Sequence, residues 1–231
     1  MFSKVFLAMT AREMEEFLPE RLAYMACHFS SYSSGLSNLP AQMPANSILL
    51  LDDSMPVQGH DPVLVTHQLQ ELIEQFSVKA VLLDFQQAID PETQNMASYI
   101  IKGISCPAAV TAPYAEHLDC SVFLPPTPVN MSLQDHLRPW QNRDVYLEIA
   151  PERLLLTVTE TGTKTEAQPF GEGTNCPHLE AKLHCHYGTC VCSDKVVFTL
   201  QRTAEDLEAL TEEAYRLGVK AVVGLYQELL L

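Results

Sequence analysis

Two carboxylates carry the most chemical promise. Asp84 closes the apolar run Val78-Lys79-Ala80-Val81-Leu82-Leu83, and Glu148 lies near the end of Asp144-Val145-Tyr146-Leu147-Glu148-Ile149. Two carboxyl groups at a suitable separation can divide the roles of acid and base, or acid and nucleophile, as glycosidic cleavage requires. The same run reaches Gln86, other runs of this kind, including Pro107 to Tyr114, end in Asp52, Tyr114, Gln201, Tyr226 and Gln227, and the tips also carry Asp53 and Glu228. Asp84 and Gln86 are two apart, so an extended chain turns them to one side. Carboxylates accept from hydroxyls, amides bond both ways, and aromatic faces cover C–H surface, a combination suited to a sugar or another small polar ligand. Asp84 and Glu148 are therefore the candidate catalytic residues, one as acid and one as base or stabiliser. Asp52, Gln86, Tyr114, Gln201, Tyr226 and Gln227 are the candidate ligand-binding residues. The same set would serve a non-enzymatic binding or interaction protein, because acidic residues also end strands where the chain meets water or caps the next helix.

A second constellation is His184-Cys185-His186-Tyr187-Gly188-Thr189-Cys190-Val191-Cys192. Zinc takes nitrogen and sulfur ligands, but its usual paired ligands have two to four residues between them, and here each pair has only one. Two strands joined near Gly188 would put the histidine pair and the cysteine pair on one face, so a metal-dependent hydrolase using His184 and His186 is a third reading. A plain hairpin is the expectation, with no metal and no cofactor. The seven cysteines are odd in number, and the start of the chain is too short in apolar residues for a signal-peptide core. Free thiols and a cytoplasmic protein are expected.

The elements that must position these residues follow one grammar, apolar β-branched runs alternating with amphipathic helices. Strands are expected near 48–52, 79–84, 120–124, 145–149, 196–201 and 220–225, all parallel, with weaker ones at 4–9 and 23–29. Pro62 to Phe76 places Val65, Leu69, Leu72, Ile73 and Phe76 on one stripe behind an Asp61-Pro62 start signal. Helices are also expected over 91–104, 132–140, 204–217 and 12–22, the last weakened by Pro19. Val78-Lys79-Ala80-Val81 recurs as Val219-Lys220-Ala221-Val222, each copy followed at the same offset by an aromatic-Gln pair. Strands alternating with helices predict a parallel sheet. The expected fold is an α/β protein, a small degenerate (β/α) TIM-like barrel, with a doubly wound open sheet as the alternative. Residues 153–195 alternate and turn at Thr161-Gly162, so they read as an antiparallel β-hairpin excursion within a single unit spanning 1–231.

Composition narrows the function classes. Lys and Arg total 14 against 29 Asp and Glu, a net charge of −15, which disfavours nucleic acid and anionic membrane as partners. No apolar run approaches a membrane span. No phosphate-cradling Gly-x-Gly-x-x-Gly or P-loop pattern occurs, and no Gly-x-Ser-x-Gly elbow.

The run from Asp61 to Gln86, a long helix and then a strand ending Asp-x-Gln, resembles the fourth-strand region of chitinase-like family 18 glycoside hydrolases. Those enzymes carry Asp-x-x-Asp-x-Asp-x-Glu. On this chain Asp84 falls on the last Asp, Gln86 on the Glu, Leu82 on the middle Asp and Lys79 on the first. The resemblance implies a TIM barrel and a carbohydrate at the strand C-terminal ends, with the catalytic motif degenerate. An amide at Gln86 cannot donate an acidic proton, so the family's acid step has no agent there. The family's Met-x-Tyr-Asp pattern is absent from 120–126, and its late-strand Trp is absent too, since the single Trp is Trp140.

Overall fold

The computed structural model describes residues 2–169 and 176–229. Eight parallel strands close on themselves. They are β1 (Val5–Met9), β2 (Leu22–Phe29), β4 (Ile48–Asp52), β5 (Ala80–Asp84), β6 (Ala108–Thr111), β7 (Ser121–Leu124), β8 (Val145–Ile149) and β14 (Ala221–Leu225). Each pairs with the next in the chain, and β1 pairs with both β2 and β14, so the ring has no free edge. The short β3 (Leu36–Ser37) adds antiparallel to β2. The expected TIM-like barrel is thus the observed fold, and the open-sheet alternative falls with the β1–β2 pairing. Among the described residues no helix is long and apolar enough to cross a membrane.

Alternation along each strand divides the apolar residues into two cores. Phe6, Ala8, Ala23, Ile48, Leu50, Ala80, Leu82, Ala109, Phe123, Tyr146, Ala221 and Val223 fill the barrel. Alanines meet large aromatic and branched residues there, the mixture that fills a narrow closed ring. The outward residues, among them Leu49, Leu51, Val81, Leu83, Val122, Leu147 and Val222, pack under the helices.

Helices α1 (Ala11–Glu16), α2 (Pro62–Phe76), α3 (Pro91–Gly103), α4 (Ala112–Ala115), α5 (Leu133–Leu137), α6 (Ala204–Arg216) and α7 (Tyr226–Leu229) surround the ring. Asp61 and Asp90 accept the first free N–H groups of α2 and α3, and Thr203 with Asp206 forms a capping box on α6. The helix expected over 12–22 stops at Glu16, before Pro19, because β2 takes up the chain at Leu22. The run at 107–114 is a strand only to Thr111, and Tyr114 lies in the helical turn beyond it.

The seventh connection of the barrel carries a separate antiparallel sheet. It comprises β9 (Glu152–Thr159), β10 (Gly162–Gln168), β11 (His178–Glu180), β12 (Cys185–Val191) and β13 (Lys195–Arg202), in the order β10-β9-β13-β12-β11. One expectation is corrected here. The strand at 196–201 belongs to this sheet, antiparallel to β9 and β12, and is not a barrel strand. An apolar β-branched run looks the same whether a parallel barrel or a half-covered antiparallel sheet uses it. Most of β13 is only partly buried, unlike the buried runs of the barrel. The excursion therefore reaches Arg202 rather than stopping at 195. Arg202 fastens it: this fully buried guanidinium donates to the carbonyls of Leu183 and His184 in the excursion and to those of Thr127 and Pro128 after β7.

Candidate active site at the C-terminal mouth of the barrel

The inward positions of three strands end in acids. Ile48 and Leu50 lead to Asp52, Ala80 and Leu82 to Asp84, and Tyr146 to Glu148. Asp52 and Asp84 are register partners on adjacent strands, so their side chains stand side by side. Thr111 is the corresponding position of β6, and its hydroxyl donates to the Phe85 carbonyl. The partly buried Met25 and Leu225 pack at the edge of the inner core. The mouth is consequently acidic beside an apolar margin.

Burial is the main force on both candidate catalytic carboxyls. It pushes Glu148 up to about 7, with the charges of Asp84 and Glu228 adding in the same direction and no hydrogen bond opposing them. Asp84 is also raised, first by burial and then by Asp52 and Asp53, but the Gln86 side chain works the other way. The Gln86 amide donates to both oxygens of Asp84, at 3.0 and 3.1 Å. Near neutral pH Glu148 is thus poised between acid and carboxylate, whereas Asp84 has donors that favour its anion. Opposed environments of this kind separate an acid from a base.

The remaining candidates scatter. Asp52 accepts from Ser54 N–H at 2.9 Å and from the Ser54 hydroxyl. Tyr226 opens α7 just past β14 and stacks on Phe17 with ring centroids 6.0 Å apart. Gln227 follows it and helps hold Glu13, the capping-box partner of Thr10 on α1, below its usual range. Tyr114 is fully buried outside the barrel, edge-on to Phe85, its hydroxyl 3.4 Å from the Gln87 carbonyl. Gln201 sits in the antiparallel sheet, opposite Arg153 and His186, rather than at a barrel tip. Gln86 and Gln227 do lie at one end of the ring, since both follow parallel strands. Their strands are fourth and eighth around it, however, so the two repeats stand on opposite sides and are not neighbours.

Sequence reasoning missed a positioning residue. Asp53 is buried and points away from the mouth, and its two oxygens accept the backbone N–H groups of Gln86 and Gln87, each at 2.9 Å. It holds the chain after β5 in the course that lets Gln86 fold back onto Asp84. The available signal was its place beside Asp52, because the alternation that turns one inward turns the other out.

The histidine and cysteine cluster takes another shape than the one weighed above. Gly188 lies inside β12, paired with Thr199, and the chain turns before Cys185 and after Val191. His184 bonds Glu213, and His186 bonds Asp206 at 3.0 Å, so both imidazoles clasp α6. Among the described residues no three His, Cys, Asp or Glu side chains are placed to share a metal.

No family model matches the sequence, and no curated protein matches it. Solved structures do resemble the fold. A mutant of the family 18 chitinase of Cycas revoluta, in complex with (GlcNAc)4, matches at a TM-score of 0.54 and 8% identity, covering 96% of this chain and 94% of that one. The spore cortex-lytic enzyme SleL of Bacillus megaterium matches at 0.53 and 8% identity, covering 95% of this chain and 69% of that one. SleL of Bacillus cereus matches at 0.51 and 7%, covering 96% and 70%. At such identities the likeness is one of fold, and in fold the chain resembles family 18 glycoside hydrolases.

Proposed function

We propose that the C-terminal mouth of the barrel binds a carbohydrate, with Asp84, Glu148, Asp52 and Gln86 as its polar contacts. The observation that carries this reading is the convergence of three inward carboxyl groups at one mouth. Active sites of (β/α)8 barrels lie at this end, where strand tips and the loops that follow them form a single rim. Asp84 and Asp52 accept sugar hydroxyls, protonated Glu148 donates or accepts, and Met25 and Leu225 offer apolar surface to a ring face. A fold neighbour solved with (GlcNAc)4 makes N-acetylglucosamine oligomers the first ligands to try. The amide at Gln86, where the family pattern expects its acid, favours binding over the family's own chemistry.

A second reading has one specific observation behind it. Burial pushes Glu148 up to about 7, and the charges of Asp84 and Glu228 add to it. Hydrolysis would then use Glu148 as acid and Asp84 as base or stabiliser.

Calorimetric titration of the intact protein with an N-acetylglucosamine tetramer tests the binding. Saturable binding that weakens at least tenfold in Asp84→Ala supports it. A folded wild-type protein that takes up no oligosaccharide overturns it. Release of shorter sugars, lost in Glu148→Gln, would establish the second reading.

A further inference from the structure

Five of the seven cysteines are shielded. Cys27 and Cys185 are buried, and Cys106, Cys120 and Cys176 are partly covered. Burial pushes the Cys27 thiol up to about 12 and those of Cys106 and Cys185 up to about 11, which leaves little thiolate to react. Cys190 and Cys192 differ from these in accessibility, although the neighbouring Cys190 thiol also raises that of Cys192. Both are exposed, at the far end of the β12–β13 hairpin. Cys190 lies in the last rungs of β12 and Cys192 directly follows its final residue Val191, so the two are only two residues apart where the strand ends. Val191 forms the last paired rung, with Val196, and the Cys192 N–H closes the turn on the Lys195 carbonyl at 2.8 Å.

We propose that Cys190 and Cys192 form a redox-active dithiol that small-molecule disulfides of the glutathione type oxidise to an intrachain disulfide. One protein thiolate attacks a sulfur of the small disulfide, forms a mixed disulfide and expels one thiolate. The second protein thiol loses its proton and attacks the protein sulfur of that mixed disulfide. The Cys190–Cys192 bond closes and the second small thiol leaves. Two electrons and two protons pass from the protein to the reagent, which ends as two thiols.

The geometry also makes the bond easy to reopen. Residues two apart in a strand have Cα atoms about 6.6 Å apart, close to the long limit for a disulfide. Closure therefore stores strain, and a strained, exposed disulfide is the readily reduced kind. Only the last rung of the hairpin must give. The site is remote in sequence from the barrel mouth, so it does not rest on the carbohydrate reading.

The test is peptide mapping of the reduced full-length protein after exposure to oxidised glutathione and then an alkylating agent. The peptide carrying both residues should escape alkylation and be lighter by two hydrogen atoms, and dithiothreitol should restore both reactive thiols. In Cys190→Ser a glutathione adduct should persist on Cys192, because nothing remains to expel it. Stable adducts on both cysteines of the wild type, a bond to any other cysteine, or two unreacted thiols would each overturn the proposal.

Discussion

The Gln86 amide grips both carboxylate oxygens of Asp84, while no hydrogen bond opposes the burial of Glu148, which also feels the charge of Asp84. Burial raises both acids at the barrel mouth, but only Asp84 has a hydrogen-bond donor that pulls the other way. The first prediction follows from this difference.

Glu148 is raised in the folded chain from 4.5 to about 7. The unfolded chain releases its proton first, so this residue favours the fold below pH about 4.5 and costs stability as pH rises through 7. The full shift corresponds to roughly 3 kcal/mol at most. Glu148→Gln removes the titration. Urea unfolding at pH 5 and pH 8 should show the wild type losing more stability than the variant over that interval, and equal losses would contradict the assigned burial.

Gln86→Glu puts a carboxyl where the family pattern has its acid, beside Asp84. If the barrel is a decayed glycosidase, cleavage of a chitin-type oligosaccharide should rise roughly 10²-fold, the lower end of what a general acid contributes. Chromatography of the products reads the outcome. Retained binding without turnover would show that more than one residue separates this mouth from catalysis.

Leu82 is fully buried among the inward residues of the barrel, on the strand that delivers Asp84. Leu82→Ala should cost roughly 2–5 kcal/mol in denaturant unfolding, since the closed ring cannot collapse onto the space left. A loss under about 1 kcal/mol would place the residue outside a packed interior.

Arg202→Met should cost roughly 3–5 kcal/mol, because it strands the carbonyls of Thr127, Pro128, Leu183 and His184 in a buried site. Hydrogen exchange should show β12 and β13 losing protection ahead of the barrel strands. Uniform loss across both sheets would mean that the excursion is held by its apolar contacts instead.

Much of this molecule is local, and what is local was legible in the chain. The runs through Leu49, Leu82, Leu147 and Val222 are apolar on both faces, as a covered parallel strand requires, and Asp61-Pro62 and Asp90-Pro91 mark their helices without tertiary help. Alternation alone turned Asp84 and Gln86 toward one side. Three things needed the closed ring. The strand around Phe198 has the composition of a barrel strand, and only its partners β9 and β12 make it antiparallel. Tyr114 left the tip because Ala112 began a helical turn that drew the ring into the outer core. The raised proton affinity of Glu148 comes from burial and from Asp84 and Glu228, neighbours far away in sequence. Residue type sets what a side chain is able to do, whereas desolvation and the placement of distant charges depend on which strands the fold brings side by side.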